Sequence, residues 1–248
     1  MHPFLDWPGP LALAHRGGAS DNPENTLPAF QHAVDLGYTY LETDVHATSD
    51  GVLVAFHDAD LSRTCGRTGR IEELPWSEVG RARVGGREPI PRFDDLMDAF
   101  PDARVNVDCK ADSAVDALVA AVRRHDGLDR ICVGSFNDSR LRRIRRELGE
   151  GLCSSFGPIQ IGLLRFALPV PWGGQCAQVP VERGPLTIVT RRTVERAHRR
   201  GYQVHVWTID DAHEIARLLD VGVDGIMTDR PAVLKEVLTA RGEWVDPA

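Results

Sequence analysis

Short apolar runs of β type alternate with amphipathic stretches along most of the chain. The runs predict eight strands, at residues 12–16, 40–45, 104–110, 131–136, 152–156, 176–179, 203–209 and 225–228. Apolar residues at three- and four-residue spacing predict helices between them, including residues 25–36, 114–124, 139–148, 191–200 and 212–220. Glycines suited to helix ends follow several of these, namely Gly37, Gly149, Gly201 and Gly222. Repeated β-α units with right-handed crossovers predict an α/β fold, a (β/α)8 TIM barrel, with a doubly wound open sheet as the alternative.

One segment interrupts the alternation, because the strand-like residues 39–46 and 52–58 are separated only by a short polar turn. This spacing predicts an antiparallel β-hairpin extension after the second strand rather than a crossover. A turn centred between Asp50 and Gly51 would place Asp44 opposite His57, and a slip of one residue would separate them. Residues 59–93, rich in glycine, proline and arginine, predict a loop-rich insertion within a single domain of residues 1–248.

The composition is that of a soluble globular chain, with 248 residues of which 42% are hydrophobic and 26% are charged. The net charge of −7 argues against a nucleic-acid-binding surface, which needs a basic excess, but one local positive pocket suffices for a single phosphate. The five cysteines have no CxxC spacing and suggest neither a disulfide framework nor a thiolate zinc site. Without an export signal or a transmembrane segment, we expect a cytoplasmic protein that acts on a small molecule; its oligomeric state is left open.

Polar side chains gather at the predicted C-terminal ends of the strands, where barrel enzymes carry their chemistry. They are His15, Arg16, Glu42, Asp44, His57, Asp108 and Lys110. Glu42 and Asp44 lie two residues apart on one strand and therefore point to the same side of the sheet. An isolated pair of this kind is more often a solvated strand edge or part of a salt bridge. Several carboxylates confined together, however, repel one another unless a cation intervenes, and they predict one hard divalent ion, Mg²⁺ or Ca²⁺.

His15 and His57 flank this group of charges. Imidazole titrates near neutrality, so one histidine can take a proton from the attacking group while the other gives one to the leaving alkoxide. A lone histidine at a strand end is more often a structural hydrogen-bonding residue. Two histidines beside a carboxylate cluster favour a general acid/base pair, which the cleavage of a phosphodiester requires because its alkoxide leaves poorly.

The motifs occur in the order and spacing of a known family. HRG followed by PENT, an ExDV strand with a DG turn into LVAFHD, a DxK strand, VHVWT and a final GVDGIMTDRP closely resemble the glycerophosphodiester phosphodiesterase family over residues 13–237. The resemblance implies a barrel enzyme that cleaves glycerophosphodiesters to glycerol 3-phosphate and an alcohol, using one divalent ion. It implies these roles: metal ligands Glu42, Asp44 and Asp108; acid/base pair His15 and His57; phosphate contacts Arg16 and Lys110.

Three acidic or amide residues outside this set have two interpretations each. Glu24 is either a further ligand or an acid that supports the site, and Asn25 is a hydrogen-bonding partner; alternatively, both simply begin a helix. Asp229, which follows the last predicted strand, is interpreted mainly as a structural residue that ends the strand, and a catalytic role is the less favoured alternative.

The third metal ligand and two aromatic residues bear on which metal and which substrate the site binds. The third ligand position is often glutamate in the family, and Asp108 shortens the reach to the ion by about 1.5 Å, which leaves the choice of metal open. Aromatic residues on barrel strands usually fill volume. The resemblance instead favours Trp207 as a wall of the substrate pocket, and Phe136 is a weaker case of the same kind.

Two other functions are weighed against this one. A lysophospholipase D-like lipid phosphodiesterase would show an apolar rim at the site, and residues 161–170, interpreted as part of a loop, are the candidate. A catalytically inactive barrel that binds a phosphate ligand is disfavoured, because a pure binder has no use for a spaced acid/base pair. A zinc enzyme is disfavoured as well, since no HxH or HExxH spacing accompanies the carboxylates.

Overall fold

The structure is a computed structural model that describes residues 1–246. Its strands are β1 (Leu11–Ala14), β2 (Tyr40–Ala47), β3 (Leu53–Ala55), β4 (Arg83–Val84), β5 (Glu88–Pro89), β6 (Arg104–Cys109), β7 (Ile131–Gly134), β8 (Cys153–Ser154), β9 (Cys176–Val179), β10 (Glu182–Arg183), β11 (Leu186–Thr187), β12 (Gln203–Val206) and β13 (Gly225–Thr228). Its helices are α1 (Leu27–Asp35), α2 (Ser62–Cys65), α3 (Trp76–Val79), α4 (Phe93–Ala99), α5 (Val115–Arg124), α6 (Asp138–Leu148), α7 (Pro158–Arg165), α8 (Arg191–His198), α9 (Ala212–Val221) and α10 (Pro231–Ala240).

The main sheet runs in the order β8-β7-β6-β2-β1-β13-β12-β9, and every neighbouring pair on this path is parallel. The two end strands also meet. Ser155 forms a parallel bridge to Cys176, and the Phe156 amide donates to the Cys176 carbonyl at 2.8 Å. Eight parallel strands therefore form a nearly closed barrel with helices between them. The TIM-barrel prediction is confirmed, and the open-sheet alternative is wrong.

Alternating strand residues supply two apolar layers, one between the barrel and its helices and one inside the barrel. Leu41 and Val105 belong to the outer layer, whereas Leu13, Tyr40 and Met227 belong to the inner one. Helix α5 shows the matching pattern, with one buried apolar face made of Val115, Leu118, Val119, Ala121 and Val122. The predicted helix-end glycines, Gly37, Gly149, Gly201 and Gly222, all have positive φ. The barrel is thus a rigid support for the side chains at its C-terminal ends.

The predicted hairpin forms between β2 and β3, but its register differs by one residue from the prediction. Phe56, not His57, stands opposite Asp44, and its amide donates to the Asp44 carbonyl at 2.8 Å. The turn is centred on Asp50, with Gly51 in the left-handed conformation at φ 83°, as a three-residue hairpin loop requires. The predicted Asp44–His57 pairing is therefore wrong, and His57 lies beyond the end of β3.

Several predicted element boundaries are also wrong. β1 ends before His15 and Arg16, which form a 3-10 turn, and α1 begins after Glu24 and Asn25. Asn25 has a φ of 55°, outside the range of an α-helix, so residues 24–25 do not begin the helix. Part of the segment interpreted as a loop is helix α7, because Leu164 turns into the core. Four more predicted strands end earlier than expected, at Cys109, Gly134, Ser154 and Val206.

The insertion of residues 59–93 is more ordered than its composition suggests. It contains α2, α3 and the antiparallel pair β4–β5. An apolar cluster joins it to the hairpin: Val54, Phe56, Leu61, Ile71, Val79, Ala82, Val84 and Ile90. The insertion is therefore anchored next to the C-terminal end of β3. Among the helices of residues 1–246, none combines the length and the apolarity that a bilayer crossing demands.

Candidate active site

A glycine-rich turn presents His15 and Arg16 at the C-terminal end of β1. Arg16 and Gly17 have positive φ values of 51° and 83°, a backbone conformation that glycine adopts freely. A Cβ atom on Gly17 would lie 2.8 Å from the Ala29 Cβ, so only a residue without a side chain lets the turn pack this closely on α1. The Arg16 amide donates to Glu42 Oε2 at 3.0 Å, which joins the turn to β2.

The His15 imidazole lies between two carboxylates. Its Nδ1 is 2.7 Å from Asp229 Oδ1, and its Nε2 is 3.8 Å from Glu42 Oε2. Burial disfavours the charged imidazole, but attraction to Glu42 and the hydrogen bond with Asp229 outweigh it and raise the pKa of His15 above its usual 6.5. Asp229, interpreted mainly as a structural residue, thus has a side chain that contacts a predicted catalytic residue.

Three carboxylates lie side by side on the neighbouring strands β2 and β6. Asp44 stands directly opposite Asp108 in the parallel pairing, and Glu42 is two residues before Asp44. The exposed fractions of Glu42 and Asp44 are 4% and 2%. Burial, together with repulsion from Asp44, raises the pKa of Glu42 to about 7. The three predicted metal ligands therefore occupy neighbouring positions on two paired strands.

Two cations partly neutralise these carboxylates. Lys110 Nζ lies 2.8 Å from Asp44 Oδ1 and 2.7 Å from Asp108 Oδ2. Arg16 Nε lies 3.2 Å from Asp44 Oδ2. Burial opposes the charged form of Asp44, yet Lys110 and Arg16 outweigh it and hold the pKa of Asp44 below its usual 3.8. Burial likewise opposes the charge on Lys110, but its two acidic partners raise the pKa of Lys110 well above 10.5. The contact between Lys110 and Asp44 therefore joins a charged ammonium to a charged carboxylate.

The oxygen donors fit a hard divalent cation chemically. Asp108 Oδ1 is buried and has no hydrogen-bond partner among residues 1–246, and such an oxygen is costly unless something binds it. In the part of the chain that the structure describes, no three His, Cys, Asp or Glu side chains surround a common point as they would around an ion. The Lys110 ammonium lies between Asp44 and Asp108 in this arrangement. Carboxylate oxygens are nonetheless the ligands that Mg²⁺ and Ca²⁺ prefer.

His57 lines the same cavity as His15. Its Nδ1 is 2.7 Å from Asp58 Oδ1, and its carbonyl accepts a hydrogen bond from His46 Nε2 at 3.1 Å. Both predicted catalytic imidazoles therefore have a carboxylate at Nδ1. Such a contact holds a proton on Nδ1 and leaves Nε2 as the nitrogen for a substrate.

Glu24 and Asn25 contact other residues of the site. Asn25 is buried, and its Nδ2 donates to Asp44 Oδ2 at 3.1 Å. The Thr43 hydroxyl donates to Asn25 Oδ1 at 2.8 Å, which fixes the orientation of the amide. Glu24 Oε1 accepts from Arg16 Nη1 at 3.0 Å. Of the two interpretations, the structure supports the one in which these residues hold the site rather than begin a helix.

One cavity of about 490 Å³ contains all of the predicted catalytic, metal-binding and phosphate-binding residues. Apolar residues line it as well, among them Phe136, Phe156, Pro158, Ile161, Val179, Ile188 and Trp207. The rings of Phe136 and Trp207 are 5.6 Å apart in an edge-to-face arrangement, and Lys110 Nζ lies 5.6 Å from the Phe136 ring. Phe136 therefore contacts both the charged Lys110 and the aromatic Trp207.

The model of the glycerophosphoryl diester phosphodiesterase family matches residues 15–233 of the chain. The chain belongs to this family. It is 41% identical over 253 aligned residues to "Probable glycerophosphodiester phosphodiesterase 2" of Mycobacterium tuberculosis, with 97% of this chain and 95% of that protein covered. "Lysophospholipase D GDPD1" of Mus musculus is 28% identical, with 91% and 85% covered. An Oleispira antarctica phosphodiesterase, solved in complex with the product sn-glycerol-3-phosphate, superposes with a TM-score of 0.79 at 23% identity, with 93% and 97% covered.

The family match confirms the resemblance that the sequence motifs indicated. The chain is therefore a phosphoric diester hydrolase. Three further charged residues contact its site: Asp58 and Arg63, to which the sequence analysis gave no role, and Asp229, to which it gave mainly a structural one. The sequence could have indicated two of them: Asp58 immediately follows the predicted catalytic His57, and Asp229 immediately follows the last predicted strand. No sequence pattern points to Arg63, because its contacts depend on how the insertion folds back on the barrel.

Proposed function

We propose that the chain hydrolyses glycerophosphodiesters to glycerol 3-phosphate and an alcohol, with His15 and His57 as its general acid/base pair. The observation that carries the proposal is the single cavity in which both imidazoles meet carboxylates and cations. One imidazole takes a proton from the attacking group, and the other gives one to the leaving alkoxide. The relative from Oleispira antarctica binds sn-glycerol-3-phosphate, the product of such a cleavage.

Two aspartates prepare these histidines for proton transfer. Asp229 and Asp58 each lie 2.7 Å from an imidazole Nδ1. Each carboxylate stabilises the imidazolium that forms when Nε2 takes up a proton, and keeps the ring from rotating. Proton transfer at Nε2 of both rings then needs no rearrangement of the protein.

Arg16 and Lys110 are the proposed contacts to the phosphate. Both line the cavity, and both lie within 3.2 Å of the buried Asp44 carboxylate. The planar guanidinium of Arg16 suits two oxygens of one phosphate, whereas the Lys110 ammonium acts as a compact charge. Together they would hold the phosphodiester between the two histidines.

One divalent cation, Mg²⁺ or Ca²⁺, completes the proposed site, with Glu42, Asp44 and Asp108 to hold it. When bound, the ion would act as a Lewis acid that draws negative charge from the phosphate oxygens. The partnerless Asp108 Oδ1 and the raised pKa of Glu42 support this assignment. Asn25 and the Arg16 amide, which donate to Asp44 and Glu42, would keep both carboxylates in place.

The apolar residues that line the cavity favour a second candidate, a lysophospholipase D-like activity. Ile161, from the segment 161–170 considered for an apolar rim, lines the cavity with Phe136 and Trp207. An apolar wall beside a polar reaction centre suits a substrate whose alcohol carries a hydrocarbon chain. The Mus musculus relative is named as a lysophospholipase D. The soluble diester remains the first choice, because the relative with the higher identity is named for it.

The test is the release of glycerol 3-phosphate from glycerophosphocholine by metal-stripped protein, with Mg²⁺, Ca²⁺ or no ion added. Metal-dependent release supports the proposal, and H15A and H57A should each lower kcat by about 10²–10⁴-fold with the melting temperature retained. A lysophosphatidylcholine assay runs in parallel. Cleavage of the lysolipid alone would select the second candidate, and no cleavage of either substrate with any ion would favour a non-catalytic, phosphate-binding barrel.

A further inference from the structure

Arg63, on helix α2 of the insertion, binds two carboxylates that come from separate segments of the chain. Its Nη1 and Nη2 donate to Glu24 Oε2 and Oε1 at 2.8 and 2.6 Å. Its Nε donates to Asp58 Oδ2. Glu24 follows β1 and Asp58 follows β3, so this guanidinium joins two loops at the C-terminal end of the barrel.

Each of the two acids also contacts a residue of the proposed reaction. Glu24 Oε1 accepts from Arg16 Nη1 at 3.0 Å, and Asp58 Oδ1 lies 2.7 Å from His57 Nδ1. Arg63 itself does not line the cavity. The chain of contacts therefore runs from the insertion through one arginine to a phosphate contact on one side and to an acid/base histidine on the other.

The electrostatics agree with this chain of contacts. Burial disfavours the charged form of Glu24, but its hydrogen bond to Arg63, with the charge of Arg16, keeps the pKa of Glu24 below its usual 4.5. Burial also disfavours the charged form of Asp58, and hydrogen bonds from Arg63 and His57 outweigh it. Both acids are therefore anionic near neutral pH and can orient their partners by charge-assisted hydrogen bonds.

The insertion holds Arg63 in place. Leu61, two residues earlier, is fully buried in the apolar cluster that the insertion shares with the hairpin. The Leu61 amide donates to the Gly69 carbonyl at 3.1 Å, and the Gly85 amide donates to the Thr64 carbonyl at 2.8 Å. The backbone is thus fixed on both sides of Arg63, although 49% of the Arg63 side chain is exposed.

We infer that Arg63 is a positioning residue for the proposed reaction: through Glu24 it orients Arg16 towards the phosphate, and through Asp58 it orients the His57 imidazole. This inference rests on the proposed function. Lysine cannot replace it, because one ammonium lacks the planar fork that reaches two carboxylates at once. The insertion therefore contributes to catalysis without touching the substrate.

The experiment compares R63A and R63K with the wild type, and with R67A as a matched control from the same insertion. Arg67 donates to the Glu78 carbonyl at 3.3 Å and forms no hydrogen bond or ion pair with Glu24 or Asp58. We expect R63A and R63K to lower kcat by about 10–100-fold, R67A to remain within about twofold of the wild type, and added guanidinium at millimolar concentration to restore part of the R63A activity.

Two further readouts separate positioning from general destabilisation. In D58N/R63A, the loss of kcat should be smaller than the product of the two single losses, because both act on His57; independent losses would contradict the inference. The ¹⁵N spectrum of the His57 ring should change in R63A and not in R67A.

The ring spectrum also distinguishes the failure of this inference from that of the proposed function. If the His57 ring spectrum is unchanged in R63A, or if R63A has the kcat of an active wild type, Arg63 does not position the site. A wild-type protein that is inactive on every diester would overturn the proposed function, whereas the R63A-specific change in the ring spectrum would still report the orienting contact.

Discussion

Asp229 Oδ1 lies 2.7 Å from His15 Nδ1, although the two residues are 214 positions apart in the chain. They meet because the last strand of the chain, β13, pairs in parallel with the first, β1. Asp229 follows β13 as His15 follows β1, so the same edge of the sheet carries both side chains. A carboxylate in this position fixes the orientation of the ring and stabilises its charged form.

Replacing Asp229 by asparagine should therefore lower kcat on glycerophosphocholine by about 10–100-fold, with a smaller change in KM. Asparagine keeps the shape of the side chain but removes the charge that favours the imidazolium. Steady-state kinetics provide the measurement. D220N serves as the control, because Asp220 is an exposed acid that pairs with Arg241. A D229N enzyme with the kcat of the wild type would remove Asp229 from the mechanism.

Metal binding should be visible without any substrate. Because an ion that binds the folded state stabilises it, free Mg²⁺ or Ca²⁺ at about 100 times its Kd should add about 2.7 kcal/mol to the free energy of unfolding and raise the melting temperature. E42Q should lose most of this increase, since Glu42 is a proposed ligand. Scanning calorimetry of metal-stripped wild type and E42Q, with and without the added ion, measures the rise in melting temperature of each protein. Chelator should abolish turnover in parallel, and full activity in EDTA would contradict the metal site.

Gly17 should tolerate no side chain. In G17A the new Cβ would meet the Ala29 Cβ at 2.8 Å, so the turn that carries His15 and Arg16 must move away from α1, at a cost of about 1–3 kcal/mol of stability. G51A is a matched control, because Gly51 has the same φ of 83° and nothing within 4 Å of its would-be Cβ. Chemical denaturation of both variants separates the clash from the backbone strain. Equal losses would show that close packing at Gly17 contributes nothing.

The barrel was predictable from sequence because its signals are local and repeated. Each strand is a short apolar run, and each helix has one apolar face and, in several cases, a glycine after its end. The same applies to Glu42 and Asp44, since two-residue spacing on a strand fixes their common side whatever the rest of the fold does. These parts of the prediction depend on periodicity alone.

The errors fall where structure depends on turn geometry or on distant packing. The hairpin register failed by one residue, because the turn centres on Asp50 and the sequence alone did not distinguish two-residue from three-residue loops. Asn25 looked like a helix start, yet its left-handed backbone lets the amide reach Asp44. Arg63 was missed because its two acids lie 39 and 5 positions away, and only the folded insertion brings them together.

The apolar wall of the cavity should reveal which alcohol the enzyme accepts. Ile161 lines the cavity, so I161S should weaken binding of a lysolipid chain that packs on it and raise KM for lysophosphatidylcholine by about tenfold, the equivalent of about 1.4 kcal/mol of lost apolar contact. KM for glycerophosphocholine should change much less, because a small polar alcohol has little to gain from that wall. F166S is the control, since Phe166 is 73% exposed and belongs to the same segment. Equal changes in KM for both substrates would mean that Ile161 shapes the whole cavity, and unchanged KM for the lysolipid would mean that the wall takes no part in its recognition.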